Sequence, residues 1–95
     1  MICGGMGTPT PATPEIQEVC DKVKPHIEEK MGQKLDTFEA KSFTSQVVAG
    51  SNYFVKIHVG DDKCVHARIF KDLQKNISLS DVQKDKSHED EIAYF

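Results

Sequence analysis

The sequence predicts an α+β fold in which one long N-terminal helix packs on a twisted antiparallel sheet of four to five strands. Three observations support it: an amphipathic repeat in residues 13–32, alternating apolar runs in residues 37–79, and turn-forming clusters between those runs. A helix of about 19 residues is roughly 28 Å long. A strand of about eight residues is roughly 26 Å long. The helix can therefore lie along one face of the sheet.

The size and charge of the chain narrow the function classes. Its 95 residues predict a single domain, residues 1–95, and the intermixed acidic and basic residues, with a net charge of −3, argue against nucleic-acid binding. We expect no membrane segment and no secretory signal, since the chain has neither a long apolar run nor a basic, apolar N-terminus. Cys3, Cys20 and Cys64 match no metal or redox spacing, which is typical of reduced thiols in a cytoplasmic protein.

The helix has clear start and stop signals. Thr13 is a good N-cap, Pro14 suits the first helical position, and Gly32 suits the end. Pro25 predicts a kink within one continuous helix. Residues 1–12, rich in Gly, Thr and Pro, are expected to form a flexible arm. The apolar residues at helical spacing form one buried face: Ile16, Val19, Cys20, Val23, Ile27 and Met31.

The remaining chain is predicted to form strands. A change of apolar parity between Ala40 and Phe43 indicates a β-bulge near Lys41 and Ser42. Ile77 and Leu79 are expected to begin a fourth strand. Residues 84–90 are expected to form a charged surface loop, and Ile92, Tyr94 and Phe95 to dock on the sheet. The inward face of the central strands comprises Tyr53, Val55, Ile57, Val59, Val65, Ala67 and Ile69. The opposite face, expected to be solvated, comprises Phe54, Lys56, His58, Cys64, His66 and Arg68.

The sequence contains little for catalysis. His58 and His66 lie on adjacent strands near Cys64, which raises a metal site or a Cys–His nucleophile as a hypothesis. An exposed sheet face would supply neither desolvation nor an oxyanion site, so solvated strand residues are the preferred interpretation. We therefore predict that the chain is not an enzyme and has no catalytic residues, no metal ligands and no cofactor.

A hairpin tip at residues 46–50 is the strongest functional signal. Val47 and Val48 cannot both face one core, because successive side chains of a strand point to opposite faces. Val47 continues the parity of Phe43, so its placement in the core stays open. A large aliphatic side chain left in water forgoes about 1.5–3 kcal/mol of burial free energy. An apolar tip is therefore better explained as a surface that enters a partner.

The tip also carries a family resemblance. Its sequence Gln-Val-Val-Ala-Gly, followed by Ser-Asn-Tyr-Phe, resembles the first binding loop of the stefins, the type 1 cystatins. Further similar stretches, at residues 11–17, 23–25, 59–61 and 90–95, extend the likeness over essentially the whole chain. The resemblance implies the cystatin fold and a reversible, tight-binding competitive inhibitor of papain-like cysteine proteases. The resemblance also implies that cathepsins such as L, H, S and B are partners.

The resemblance also implies which residues contact a protease. The arm lies along the non-primed substrate subsites, the first hairpin tip makes the central contact, and a second tip touches the primed side. Stefins usually carry Leu-Pro at that second tip, and Gln74 replaces a proline that would fix φ, which predicts a weaker contribution from this loop. The implied contact residues are Ile2, Cys3, Gly4, Gln46, Val47, Val48, Ala49, Gly50, Leu73 and Gln74.

Two alternatives remain from the sequence. The first is a non-inhibitory binding or assembly module on the same fold, since fold does not fix function. We expect a monomer, but exchange of the helix and its strand, hinged at residues 46–50, or a disulfide at Cys3 would give a dimer. The second alternative is a small hydrolase using Cys64 and His66.

Overall fold

The structure, a computed structural model, describes residues 9–92 with the exception of the side chain of Val48. One helix packs on a five-stranded antiparallel sheet whose strands are ordered as in the sequence, which confirms the predicted α+β class. Between residues 9 and 92, no helix has the length and apolar character needed to span a bilayer. The elements are β1 (Thr10–Pro11), α1 (Pro14–Met31), β2 (Glu39–Val48), β3 (Gly50–Gly60), β4 (Lys63–Lys71) and β5 (Ile77–Lys86).

Helix α1 begins and ends at the predicted residues. The Oγ1 atom of Thr13 accepts a hydrogen bond from the backbone N–H of Ile16 at 3.3 Å, as an N-cap does. Gly32 ends the helix with φ of 72°, and its N–H donates to the carbonyl of Glu28 at 2.8 Å. The helix continues through Pro25 as one element, as predicted.

The core lies between α1 and the inward face of the sheet. Cys20 is part of it, and burial, followed by the nearby charge of Asp21, raises the pKa of its thiol to about 12. Its predicted place on the buried face of the helix is therefore confirmed, and a thiol with a raised pKa is unreactive. The buried residues from the two layers are Ile16, Val19, Cys20, Val23 and Ile27 from the helix, and Val55, Ile57, Val65, Ala67 and Ile69 from the sheet.

The edge of the sheet beside the helix start contains a bulge and a short strand. The predicted bulge in β2 is confirmed between Ala40 and Ser42. Strand β1 was not predicted. It lies within the predicted arm and pairs antiparallel with β2, with Thr10 opposite Phe43. The side chain of Gln17 joins the helix to this edge, since its Oε1 accepts from the N–H of Ala40 at 2.8 Å.

The second face of the sheet is buried, and the prediction of a solvated face is wrong. Cys64 and His66 are 1% and 0% exposed, and Phe54 and Lys56 are also buried. The predicted alternation of side chains is correct, but a later segment of the chain lies against this face at Lys56 and His58. Burial raises the pKa of the Cys64 thiol, so this thiol is not an activated nucleophile.

The covering segment is residues 87–92, which follow β5. The Nζ atom of Lys56 donates to the carbonyl of His88 at 2.6 Å, and the rings of His58 and His88 lie 4.9 Å apart. Ile92 lines a cleft with Ser42 and Lys56, as its predicted docking requires, whereas Tyr94 and Phe95 lie outside the described residues. The predicted surface loop at residues 84–90 is correct only in part, because β5 extends to Lys86 whereas residues 87–90 form a turn in which residues 88–90 are exposed.

Candidate functional site

The first hairpin tip joins β2 to β3 with its apolar residue exposed. Val47 lies opposite Ser51, Val48 lies opposite Gly50, and the chain reverses at Ala49. The side chain of Val47 is 73% exposed and Ala49 is also exposed. Val47 is therefore not a core residue, and the alternative left open by its parity is excluded.

Gly50 is required at this tip by its backbone and by its neighbours. Its φ is 119°, a conformation that residues with a Cβ rarely adopt. A Cβ atom at this position would lie 2.5 Å from the carbonyl oxygen of Lys71 and 3.1 Å from the Cα of Asp72. Glycine therefore lets the first tip approach the backbone at the end of β4.

The base of the first tip is joined by a polar cross-strand pair. Asn52 lies opposite Gln46, and its Nδ2 donates to the Oε1 of Gln46 at 3.4 Å. Asn52 is only 6% exposed and lies opposite Phe70 on the next strand. This pair holds the two strands together where the tip leaves the sheet, which limits the freedom of the residues beyond it.

The second hairpin tip joins β4 to β5 and exposes a leucine. The side chain of Leu73 is 80% exposed, and Gln74 is exposed beside it. The N–H of Asp72 donates to the carbonyl of Asn76 at 3.0 Å, and the N–H of Lys75 donates to the carbonyl of Asp72 at 2.9 Å. These bonds close a tight loop of three residues, as the sequence predicts for a hairpin here.

The two tips lie at the same end of the sheet. Ser51, one residue after the first tip, is paired with Lys71, one residue before the second loop. The turn between β3 and β4, residues 60–63, lies at the opposite end because neighbouring strands are antiparallel. Two exposed aliphatic side chains, those of Val47 and Leu73, are thus carried by adjacent tips, and we call this end of the molecule the tip edge.

The arm residues Ile2, Cys3 and Gly4 lie outside the described residues. What the structure describes is the direction of β1, which is antiparallel to β2. Because β2 runs towards the first tip, the N-terminal end of β1 faces the tip edge. Thr10 is paired with Phe43, five positions before Val48.

Replacing Gly50 with alanine is expected to lower the free energy of unfolding by about 2–3 kcal/mol, because a Cβ there is strained by its φ and meets backbone atoms of Lys71 and Asp72. Urea unfolding of the two proteins measures this difference. Gly32 is the matched control, since it also has a positive φ but a Cβ there would meet nothing within 4 Å. Equal losses for both substitutions would mean that the close approach at Gly50 contributes nothing.

A catalytic interpretation finds little support in the described chain. Among residues 9–92, no group of three or more His, Cys, Asp and Glu side chains is arranged to hold a metal ion. The tip edge instead presents exposed apolar side chains on two hydrogen-bonded hairpins. A sheet that exposes such side chains on adjacent tips defines a protein that binds through loops.

Comparison with known proteins identifies the class. The family model described as the cystatin domain matches residues 4–92. The chain belongs to the cystatin family, whose members are inhibitors of cysteine proteases and not enzymes. This confirms the family and the cystatin fold predicted from the sequence.

Full-length relatives narrow the family further. The chain is 52% identical to cystatin-B of Oplegnathus fasciatus, an alignment that covers all of this chain and 98% of the relative. It is 49% identical to cystatin-B of Mus musculus and 47% identical to cystatin-B of Homo sapiens, both over the whole of each chain. The chain is therefore similar to the cystatin-B branch along its entire length.

Sequence reasoning did not identify three features of the tip edge. They are the cross-strand pair of Gln46 and Asn52, the close approach of Gly50 to β4, and the hydrogen bonds of the Asp72 carboxylate. An aspartate is favoured at the first position of a type I turn, so Asp72 carried a signal. The approach at Gly50 depends on a strand 20 residues further along the sequence and carried none.

Proposed function

We propose that this chain inhibits papain-like cysteine proteases reversibly and competitively, by inserting the tip edge into the active-site cleft. The observation that supports this proposal most is the solvent exposure of Val47 and Leu73. Among the described residues, these are the large hydrophobic side chains that lie exposed. Both are carried by tips at one end of the sheet. Their burial in a partner would recover about 1.5–3 kcal/mol for each fully buried side chain.

The proposed contacts follow the order of the segments along the edge. Gln46, Val47, Val48, Ala49 and Gly50 form the central contact, and Leu73 and Gln74 contact the primed side. In the arm, the proposed contacts are Ile2, Cys3 and Gly4. The direction of β1 supports this part, because the N-terminal end of β1 faces the tip edge.

Inhibition of this kind requires no chemical step. The tips cover the catalytic cysteine and histidine of the protease without offering a well-placed peptide bond, so the complex dissociates into unchanged components. The hairpins are already ordered by the sheet, and a rigid loop loses little conformational entropy on docking. The area buried in such complexes is on the order of 1,600 Å².

We infer that the partners include cathepsins such as L, H, S and B, and that one monomer, a single domain of residues 1–95, binds one protease. We further infer that the protein acts in the cytoplasm. Cys20 and Cys64 are both free and buried, which suits a reducing compartment. Cys3 and the hinge at residues 46–50 are where a disulfide-linked or a domain-swapped dimer would form.

Active-site titration of papain and several cathepsins with the purified monomer tests this proposal. We expect stoichiometric loss of activity, relief of inhibition by excess substrate, and recovery of the intact chain after dissociation. Separating monomer from dimer by size exclusion before the assay distinguishes an inhibitor from an assembly module. Full protease activity in the presence of excess monomer, or cleavage of the chain at the tips, would contradict it.

A further inference from the structure

The carboxylate of Asp72 accepts hydrogen bonds from several polar groups of the second tip. Its Oδ1 accepts hydrogen bonds from the backbone N–H of Gln74 at 2.8 Å and of Asn76 at 2.9 Å. Its Oδ2 accepts from the Nδ2 of Asn76 at 3.2 Å. The bond from the Asn76 backbone is the main reason that the pKa of Asp72 lies below its usual value. One charged side chain therefore joins both ends of the tip.

The backbone of this tip is a type I turn followed by a left-handed residue. The N–H of Lys75 donates to the carbonyl of Asp72, and φ is positive at Lys75 (69°) but not at Leu73 or Gln74. This is the usual geometry of a three-residue hairpin loop. Leu73 and Gln74 occupy the two central positions of the turn.

The same geometry suits Gln74 better than the proline that stefins usually carry at this tip. Proline is disfavoured at the second central position of a type I turn, because it forces the preceding residue out of the helical region. Proline at residue 74 would also remove the N–H that donates to Asp72. This loop is therefore ordered by the Asp72 side chain and not by a proline ring.

We propose that Asp72 is a positioning residue for protease binding, whose carboxylate holds Leu73 and Gln74 in the conformation that enters the protease cleft. The inference deepens the proposed function and rests on it. Without these hydrogen bonds the tip samples more conformations when free, and docking then loses more entropy. Among variants of one interface, such differences appear mainly in the dissociation rate.

The position of Asp72 extends its influence to the first tip. A Cβ at Gly50 would lie 3.1 Å from the Cα of Asp72 and 2.5 Å from the carbonyl of Lys71. The backbone that carries the carboxylate is therefore in contact range of the first tip. A well-ordered second loop keeps the two tips at a fixed separation, which a cleft of fixed width requires.

Three substitutions test the inference in the full chain with papain. Asp72→Ala removes the carboxylate, Asp72→Asn keeps an oxygen for the two backbone N–H groups, and Asp62→Ala removes the same charge at the opposite end of the sheet. We expect Asp72→Ala to raise the dissociation rate about 10-fold, Asp72→Asn to stay within about threefold of the parent, and Asp62→Ala to match it. Association rates are expected to change little.

A double-mutant cycle separates positioning from general stability. If Asp72 acts through the tip, the effect of Asp72→Ala on dissociation shrinks when Leu73 is already replaced with alanine. Thermal unfolding of each variant shows whether the fold is retained, and Asn76→Ala, which removes only the contact to Oδ2, replaces Asp72→Ala if that variant does not fold. Asn76→Ala is then expected to raise the dissociation rate by a smaller factor.

The outcomes distinguish this inference from the proposed function. If the parent protein inhibits papain and Asp72→Ala, or Asn76→Ala in its place, dissociates at the parental rate, the role of Asp72 is overturned. The proposed function is then left intact. The role of Asp72 is also overturned if Asp72→Ala changes the dissociation rate by the same factor in the parent and in the Leu73→Ala variant. A parent protein that does not inhibit papain overturns the proposed function, and the inference with it.

Discussion

Replacing Val47 with aspartate is expected to weaken the inhibition of papain about 30- to 150-fold, because truncation or mismatch at an interface hot spot costs about 2–3 kcal/mol. Val47 is 73% exposed at the first tip, so its side chain contributes little to the fold. In a protease cleft the new carboxylate would lose water without gaining a partner, which is costly. Inhibition constants and thermal unfolding of the two proteins measure the effects separately.

The unfolding temperature of Val47→Asp is expected to stay close to that of the parent, since exposed substitutions usually change stability by less than about 0.5 kcal/mol. Gln33→Asp is a matched control, because it adds the same charge at an exposed position just beyond the end of α1. Gln33 lines a cleft with Lys63, in the turn between β3 and β4, so it lies far from the tip edge. Similar weakening by both variants would point to net charge and not to the tip.

The features that sequence reasoning identified are local. The N-cap at Thr13 and the left-handed Gly32 depend on residues within one helical turn, and both are confirmed. The bulge between Ala40 and Ser42 is visible as a change of parity within one strand. Each of these signals is complete within a few residues, so no knowledge of the tertiary structure is needed to read it.

The features that were missed depend on distant segments. Alternation placed Cys64 and His66 on one face correctly, but it contains no information on whether residues 87–92 return to cover that face. The charges of that segment favoured a solvated loop, although its backbone carbonyl at His88 accepts from Lys56. Strand β1 has two residues, which is too short for any periodicity, and it is defined only by its pairing with β2.

The candidate site likewise contains features that the sequence predicted and features that it did not. The composition of residues 46–50 marked an apolar tip, because its residues are consecutive. Parity did not determine the direction of the Val47 side chain. Val47 lies within β2, which continues to Val48, yet near this end of the strand its side chain points away from the core. The contact between Gly50 and β4 joins segments that are distant in sequence, whereas the bonds of Asp72 to Asn76 are local and were indicated by the preference for aspartate at the start of a type I turn.

His66 is expected to make the protein lose stability in mild acid. Its side chain is 0% exposed, and within the described chain neither ring nitrogen has a hydrogen-bond partner. Burial, then the positive charges of Lys56 and Lys86, lower the pKa of His66 to about 4, whereas Asp90 acts in the opposite direction. The neutral imidazole is therefore the form that the folded protein holds.

The sign of the effect follows from proton linkage. The pKa of an unfolded histidine is about 6.5, so below that pH the unfolded state binds a proton that the folded state does not take up until about pH 4. The stability that His66 contributes is therefore fully present above pH 6.5 and is lost as the pH falls to about 4. The loss over this window is about 3 kcal/mol, at 1.36 kcal/mol for each pKa unit.

Urea unfolding at pH 7, 5.5 and 4.5 measures this loss, and His66→Leu is expected to abolish it. Leucine has a similar volume and no unsatisfied nitrogen, so the variant should stay within about 1.5 kcal/mol of the parent at pH 7. His26→Leu, at an exposed helix position, is the matched control and should keep the parental dependence on pH. If His66→Leu loses as much stability as the parent between pH 6.5 and 4.5, the acid sensitivity arises from other groups and the burial of His66 does not control it.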